Sequence, residues 1–260
     1  MSKLTKAFGR GVELALKVTV APYLLLRIKR TQRYMSSANI PDGFTYTAHT
    51  GCCKTKPNTL ECIDVGVKYG AQIVEFDLRF DENKEPVLSH DEPVGGEVTL
   101  DEAFAKISEI ENLRVNVDVK VCTALEKVVA LANKYGIADR IFFTGINEGD
   151  VKAVKEQAPT VEYYLNMKVK KPSAHTDAYL QSLVDKVKEC GAVGINFQYR
   201  SASRKLVDFF HKNGLLVSIF TVDRNIEMYR IISYGPDNIT SRNPDLIKYT
   251  LEEFNQSCSK

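Results

Sequence analysis

Residues 73–91 read IVEFDLRFDENKEPVLSHD. Side chains alternate faces along a strand, so Val74, Phe76 and Leu78 share one face while Glu75 and Asp77 share the other, roughly 7 Å apart. A second run, RVNVDVKV at 114–121, has the same pattern: Val115, Val117, Val119 and Val121 alternate with Asn116, Asp118 and Lys120. Parallel strands covered on both faces normally read as unbroken apolar runs. Strands that are apolar on one side and charged on the other fit a closed barrel, with valines under an outer layer of helices and acids pointing inward, toward the strand ends where such folds place their chemistry.

The rest of the chain agrees with that reading. From residue 44 onward, FTYTAH, AQIVEFDLRF, LRVNVDVKV, RIFFTG, VEYYLNM, GINFQY, LLVSIFTVD and DNITS are each followed by a helical pattern, and glycine ends several of the helices. Eight strand–helix pairs in about 200 residues predict an α/β protein of the (β/α)₈ TIM-barrel class over residues 41–260. A doubly wound open sheet fits less well, because no GxGxxG turn opens a nucleotide site. The 260 residues are 44% hydrophobic and 26% charged, ordinary for one globular domain. A net charge of +2, with no zinc-finger or RNA-binding motif, argues against nucleic acid as a partner.

Residues 1–40 stand apart. Up to residue 34 they carry eight basic side chains against one acid, Glu13, and an apolar stripe at Leu14, Val18, Ala21, Leu25 and Ile28 with helical spacing. Glu13, Lys17 and Pro22 interrupt any clean transmembrane span, and no small-residue cleavage site precedes the basic RIKR. Two readings stay open: an amphipathic helix lying on an anionic membrane surface, or a helix covering the bottom of the barrel. Six scattered cysteines without a CxxC pair read as reduced thiols. Together these features point to a cytoplasmic protein, peripheral at the inner face of the membrane if the helix binds lipid.

Three inward carboxylates, Glu75, Asp77 and Asp118, need a cation. Oxygen-only ligation favours one hard divalent ion, Mg²⁺ or Ca²⁺, over zinc. The alternative is an internal ion-pair cluster neutralised by Lys120. Of four histidines, His49 ends the first strand and His90 follows the second, which puts both on the rim beside the acids and suits them to general acid–base work. His175 and His211 read as surface or capping residues.

AHTG, PNTLE, GAQIVEFDLRFDENKEPVLSHD, NVDVK, GLLVSIFTVD and DNITSRNPDL together resemble the glycerophosphodiester phosphodiesterase family, whose pattern runs His-Arg-Gly, Pro-Glu-Asn-Thr, Glu-x-Asp and His-Asp. The similarity covers residues 44 to about 250. It implies a TIM barrel that cleaves phosphodiesters with a divalent metal, His49 and His90 as the acid–base pair, Glu75 and Asp77 as metal ligands, and Lys120 as a phosphate contact. Asp118 would be the third ligand, in place of a glutamate. Phe220 would line the substrate site, in place of the tryptophan usual before TVN or TVD. Thr50 stands where the family has its first arginine, and losing a charged hydrogen bond to phosphate costs about 1.5–3 kcal/mol. Pro57 falls where the family's glutamate would be, and the short span after His90 leaves no room for an inserted subdomain. The third aspartate, the missing insertion and TVD are similar to the sphingomyelinase D branch of the superfamily. Cleavage of a lipid headgroup, sphingomyelinase D-like or lysophospholipase D-like, is therefore an alternative, as is an inactive phosphoester-binding barrel.

Overall fold

The computed structural model describes residues 26–38 and 40–258. Eight of its strands run parallel: β1 (Thr45–Ala48), β2 (Ile73–Phe80), β4 (Arg114–Val119), β5 (Ile141–Thr144), β6 (Tyr164–Asn166), β7 (Gly194–Gln198), β8 (Leu216–Phe220) and β9 (Asn238–Ser241). Their hydrogen-bonded order is β5-β4-β2-β1-β9-β8-β7-β6. The ring closes between β5 and β6 through a single parallel bridge, Phe143 to Tyr163. There the Phe143 N–H donates to the Glu162 carbonyl at 2.9 Å and the Asn166 N–H to the Ile146 carbonyl at 2.7 Å. Helices between consecutive strands cover the outside, so the expected TIM barrel is the observed fold.

Valine alternation works as the sequence predicts. Val115, Val117 and Val119 are buried outward under the helices, as are Val74, Phe76 and Leu78. Val121 lies beyond the end of β4 and is 39% exposed. The inward positions change character along the barrel axis. At the N-terminal ends of the strands Ile73, Phe142 and Tyr164 pack together, with the two rings edge-on at 5.6 Å. Above them lies a polar layer. Thr47 donates to Asn238 at 2.9 Å, Asn238 to Ser218 at 3.1 Å, and Thr144 to Asn116 at 2.8 Å. Barrel interiors are more usually filled by branched aliphatic side chains. The acids come last, at the C-terminal ends.

One element was not expected. After β2 the chain turns at Asp81, whose carboxylate accepts the N–H groups of Asn83 at 2.9 Å and Glu85 at 2.7 Å. It then returns as β3 (Pro86–Leu88), antiparallel to residues 78–80. Because β4 occupies one edge of β2 from Ile73 to Leu78, β1 and β3 share the other. The hairpin therefore extends the wall above the end of β1. Residues 89–99 then lead directly into the helix Leu100–Ser108, which opens with a capping box between Thr99 and Glu102.

The helix expected near residues 14–28 lies largely outside the described residues. Residues 26–36 are helical, with Leu26 and Ile28 exposed, while Tyr34, Met35 and Ala38 pack on the core. Arg204 donates to the Ser37 carbonyl, tying this segment to the barrel flank. Among the described residues no helix is long and apolar enough to cross a membrane.

Candidate active site

Glu75 and Asp77 sit one pleat apart on β2, and strand pairing places Asp77 directly opposite Asp118 on β4. The three carboxylates each bring an oxygen within 4.8 Å of the others. Lys120, just past the end of β4, pairs with Asp77 at 2.8 Å and, more closely, with Asp118. Burial works against its charge, but Asp118 and Asp77 hold the ammonium pKa above its ordinary value. Glu75 is 5% exposed. Burial first, then the neighbouring Asp77 and Asp118, push its pKa well above the usual carboxylate range.

Backbone and polar groups hold the acids in place. The Thr50 N–H donates to Glu75 at 2.8 Å. Asn58 grips Asp77 twice, its amide donating to the carboxylate at 2.9 Å and its carbonyl accepting the Asp77 N–H at 3.0 Å. Asn58 has φ of 58°, a left-handed conformation that asparagine tolerates better than most residues. Thr144 Oγ1 also lies 2.9 Å from an Asp118 oxygen, a second acceptor within reach of its single hydroxyl proton. Gly145 follows with φ of 82°, and a Cβ there would lie 2.3 Å from the Val119 carbonyl oxygen and 2.9 Å from an Asp118 carboxylate oxygen. Only glycine lets β5 pass this close to the acid.

His49 lies beside the cluster, its Nδ1 2.7 Å from the Thr50 carbonyl and 3.6 Å from Glu75. A carbonyl only accepts, so Nδ1 carries the proton and Nε2 is left as the free base. Burial lowers the His49 pKa, against the Thr50 hydrogen bond, and nearby Arg242 lowers it further. His90 follows β3 on the hairpin above β1, exposed, with Nδ1 2.9 Å from Asp91. No hydrogen bond or ion pair joins it to His49 or to the three acids. Phe220 ends β8 and lines the cleft with His49, Glu75 and Asp118.

This cleft, about 50 Å³ in volume, is also lined by Asn116, Asn166 and Asn196 of the polar layer. The Asn196 amide donates to Asn166 at 3.0 Å, but its buried carbonyl oxygen has no partner among the described residues.

The two histidines set aside from the sequence lie elsewhere. His175 is buried rather than on the surface, bridging Ser203 at 2.7 Å and the Lys170 carbonyl at 3.0 Å and stacked on Tyr179. His211 pairs with Asp237 at 2.8 Å.

Sequence reasoning missed Asn58, Thr144, Asn196 and the Arg242 beside His49. Inward parity on β5 and β7 could have found Thr144 and Asn196. The others sit on loops, where no periodicity applies.

Comparison with known proteins gives the same picture. Residues 49–123 and 102–246 match the glycerophosphoryl diester phosphodiesterase family. A glycerophosphodiester phosphodiesterase of Caldanaerobacter subterraneus subsp. tengcongensis is 27% identical over 236 residues, 77% of this chain and 94% of that protein. Among solved structures, an Oleispira antarctica phosphodiesterase superposes with a TM-score of 0.66 at 17% identity, covering 82% of this chain and 97% of the other. A glycerophosphodiester phosphodiesterase of Parabacteroides distasonis does so at 0.63 and 18%, covering 84% and 99%. With the family match spanning every strand from the end of β1 to β9, the chain belongs to the glycerophosphoryl diester phosphodiesterase family and is a phosphoric diester hydrolase.

Proposed function

We propose that the protein is a metal-dependent phosphodiesterase that cleaves glycerophosphodiesters to an alcohol and glycerol phosphate by histidine acid–base catalysis. The observation that carries this reading is the cluster of Glu75, Asp77 and Asp118 beside His49 and Lys120 at the open end of the barrel. Three acids and one ammonium leave excess negative charge, and the raised pKa of Glu75 marks how strongly burial and the neighbouring carboxylates oppose its ionised form in the absence of a cation. An all-oxygen donor set of this kind fits one hard divalent ion, Mg²⁺ or Ca²⁺, held by these three residues. Such an ion, when bound, neutralises charge developing on the phosphoryl oxygens.

The chain's own residues supply the rest. Lys120 contacts the phosphate as a point charge. His49 Nε2, unprotonated at neutral pH, takes the proton of the attacking hydroxyl, the neighbouring glycerol hydroxyl of the substrate, and water then opens the resulting cyclic phosphate to glycerol phosphate. His90, its Nδ1 on Asp91, returns one to the leaving alcohol. Phe220 offers an apolar wall. The unpaired Asn196 oxygen suits a hydroxyl donor, which supports a glycerol-containing substrate. The Oleispira relative was solved with the product sn-glycerol-3-phosphate, which agrees with that substrate class. The basic residues 1–34 would hold the barrel mouth near an anionic membrane.

The pairing of Lys120 with both Asp77 and Asp118 favours a second reading, an inactive barrel that binds phosphoesters through an internal ion-pair cluster. Purified full-length protein assayed against glycerophosphocholine, glycerophosphoethanolamine, glycerophosphoglycerol, lysophospholipids and sphingomyelin, with Mg²⁺, Ca²⁺ or EDTA, separates the two. Metal-dependent turnover that is lost in Asp77→Asn supports the enzyme. Turnover surviving exhaustive chelation sinks the metal mechanism, and turnover of sphingomyelin or lysophospholipid alone reassigns the substrate.

A further inference from the structure

The first loop leaves a gap in the phosphate site. Thr50, where the family pattern has an arginine, is 3% exposed and fully engaged. Its N–H holds Glu75, and its hydroxyl accepts the Asn58 N–H. Neither group is free to meet a phosphoryl oxygen, and the position carries no charge. A cation does meet His49 here, and it comes from the opposite end of the chain.

Arg242 follows β9, the strand hydrogen-bonded to β1, so it emerges beside His49. Its Nη2 lies 3.5 Å from His49 Nε2, the nitrogen left free to move the proton. The guanidinium is half-exposed, so it is open to a ligand while its direction is fixed from behind. Asp223 fixes it, accepting Arg242 Nη1 at 3.1 Å and the Arg242 backbone N–H at 2.8 Å. Asp223 is itself locked, accepting from Ser241 Oγ at 3.2 Å, with its carbonyl taking the Asn243 amide at 3.0 Å. The Cys53 N–H donates to the Arg242 carbonyl at 2.8 Å, which joins this loop to the one that carries His49 and Thr50. An arginine offers five N–H donors in a planar fork. One Nη1 donor goes to Asp223, and the Nη2 edge faces the cleft.

We infer that Arg242 is the phosphate-binding arginine of this protein, taking over from β9 the contact that Thr50 cannot make from β1, and that Asp223 is its positioning residue. The assignment rests on the phosphodiesterase reading of the cleft and adds a substrate contact to it. Arg242 would bind a phosphoryl oxygen next to the proton-transfer nitrogen. It also accounts for the TVD run that follows β8: its aspartate holds the arginine.

The test is a set of variants at both positions, measured on the metal-loaded full-length protein. Binding of inorganic phosphate and of sn-glycerol 3-phosphate is followed by calorimetry, and kcat/KM for glycerophosphodiesters by assay. Arg242→Gln should weaken binding of both anions and lower kcat/KM by about 10- to 100-fold, the range for a hydrogen bond to a charged group. Added ethylguanidinium should restore part of the loss, which repair of a merely structural defect would not do. Asp223→Asn should shift phosphate affinity in the same direction, Asp223→Glu should recover part of it, and the Arg242→Gln/Asp223→Asn pair should be no worse than Arg242→Gln alone. Unchanged phosphate affinity in Arg242→Gln overturns the assignment even where wild type is active. A wild type that turns over no diester overturns the enzymatic reading, while the calorimetry still decides whether Arg242 binds phosphate.

Discussion

Glu75 is the residue at which the site's electrostatics are most exposed to test. Its pKa is raised by burial and by Asp77 and Asp118, so in metal-free protein the fold prefers the protonated carboxyl. The sign follows directly: no penalty arises below the unfolded value, and stability falls as pH rises through the folded one. A divalent ion competes with that proton. Metal affinity is therefore expected to rise with pH across the acid to neutral range, with proton release on binding, measured by calorimetry in buffers of different ionisation enthalpy. A pH-independent affinity with no proton released would show that Glu75 is not a ligand. Gly145 gives a second expectation at this scale. Gly145→Ala forces a Cβ against the Val119 carbonyl and Asp118 at a positive φ, so it should cost more than about 1 kcal/mol in denaturant unfolding. Its loss of metal affinity should exceed that of Gly214→Ala, a glycine of similar φ with open space around it.

Among the elements, the long strands were legible and the short ones less so. β2 and β4 announce themselves because alternation over six to eight residues leaves one consistent assignment of faces. That assignment also delivered the three acids and Lys120. β3 is three residues long and held by a turn in which the Asp81 carboxylate accepts two backbone N–H groups, and such a piece shows no period. His90 follows it, and alternation over so short a piece does not say which way a side chain beyond its end points. The meeting of Arg242 and Asp223 was illegible for a different reason: it depends on β9 pairing with β1 and β8, a long-range closure that local pattern does not encode. The ring is uneven in strength. β2 and β4 share six registered pairs, while β5 and β6 meet at one bridge. Native-state hydrogen exchange should find the Phe143 and Asn166 amides opening well before those of β4. Equal protection across both would mean that the seam is held by packing alone.

At the scale of the whole molecule, the open question is what the basic N-terminal segment does. Residues 34–38 pack on the barrel while Leu26 and Ile28 face outward, so part of the segment is committed to the fold and part is available. If residues 1–34 bind an anionic bilayer, full-length protein should sediment with phosphatidylglycerol vesicles at low salt. It should be partly released at about 1 M salt, where the screening length falls to about 3 Å, and a chain lacking residues 1–34 should stay in the supernatant. Equal sedimentation of both chains, or of neither, would assign the helix to the barrel.

The packed layer of Ile73, Phe142 and Tyr164 has a kinetic consequence. It stops the barrel at its N-terminal end, so the cleft is a blind alley with one doorway at the strand C-termini. Whatever enters by that doorway must leave by it. On the proposed catalysis, product and incoming substrate would share this one route, so accumulated product should act as a brake on turnover.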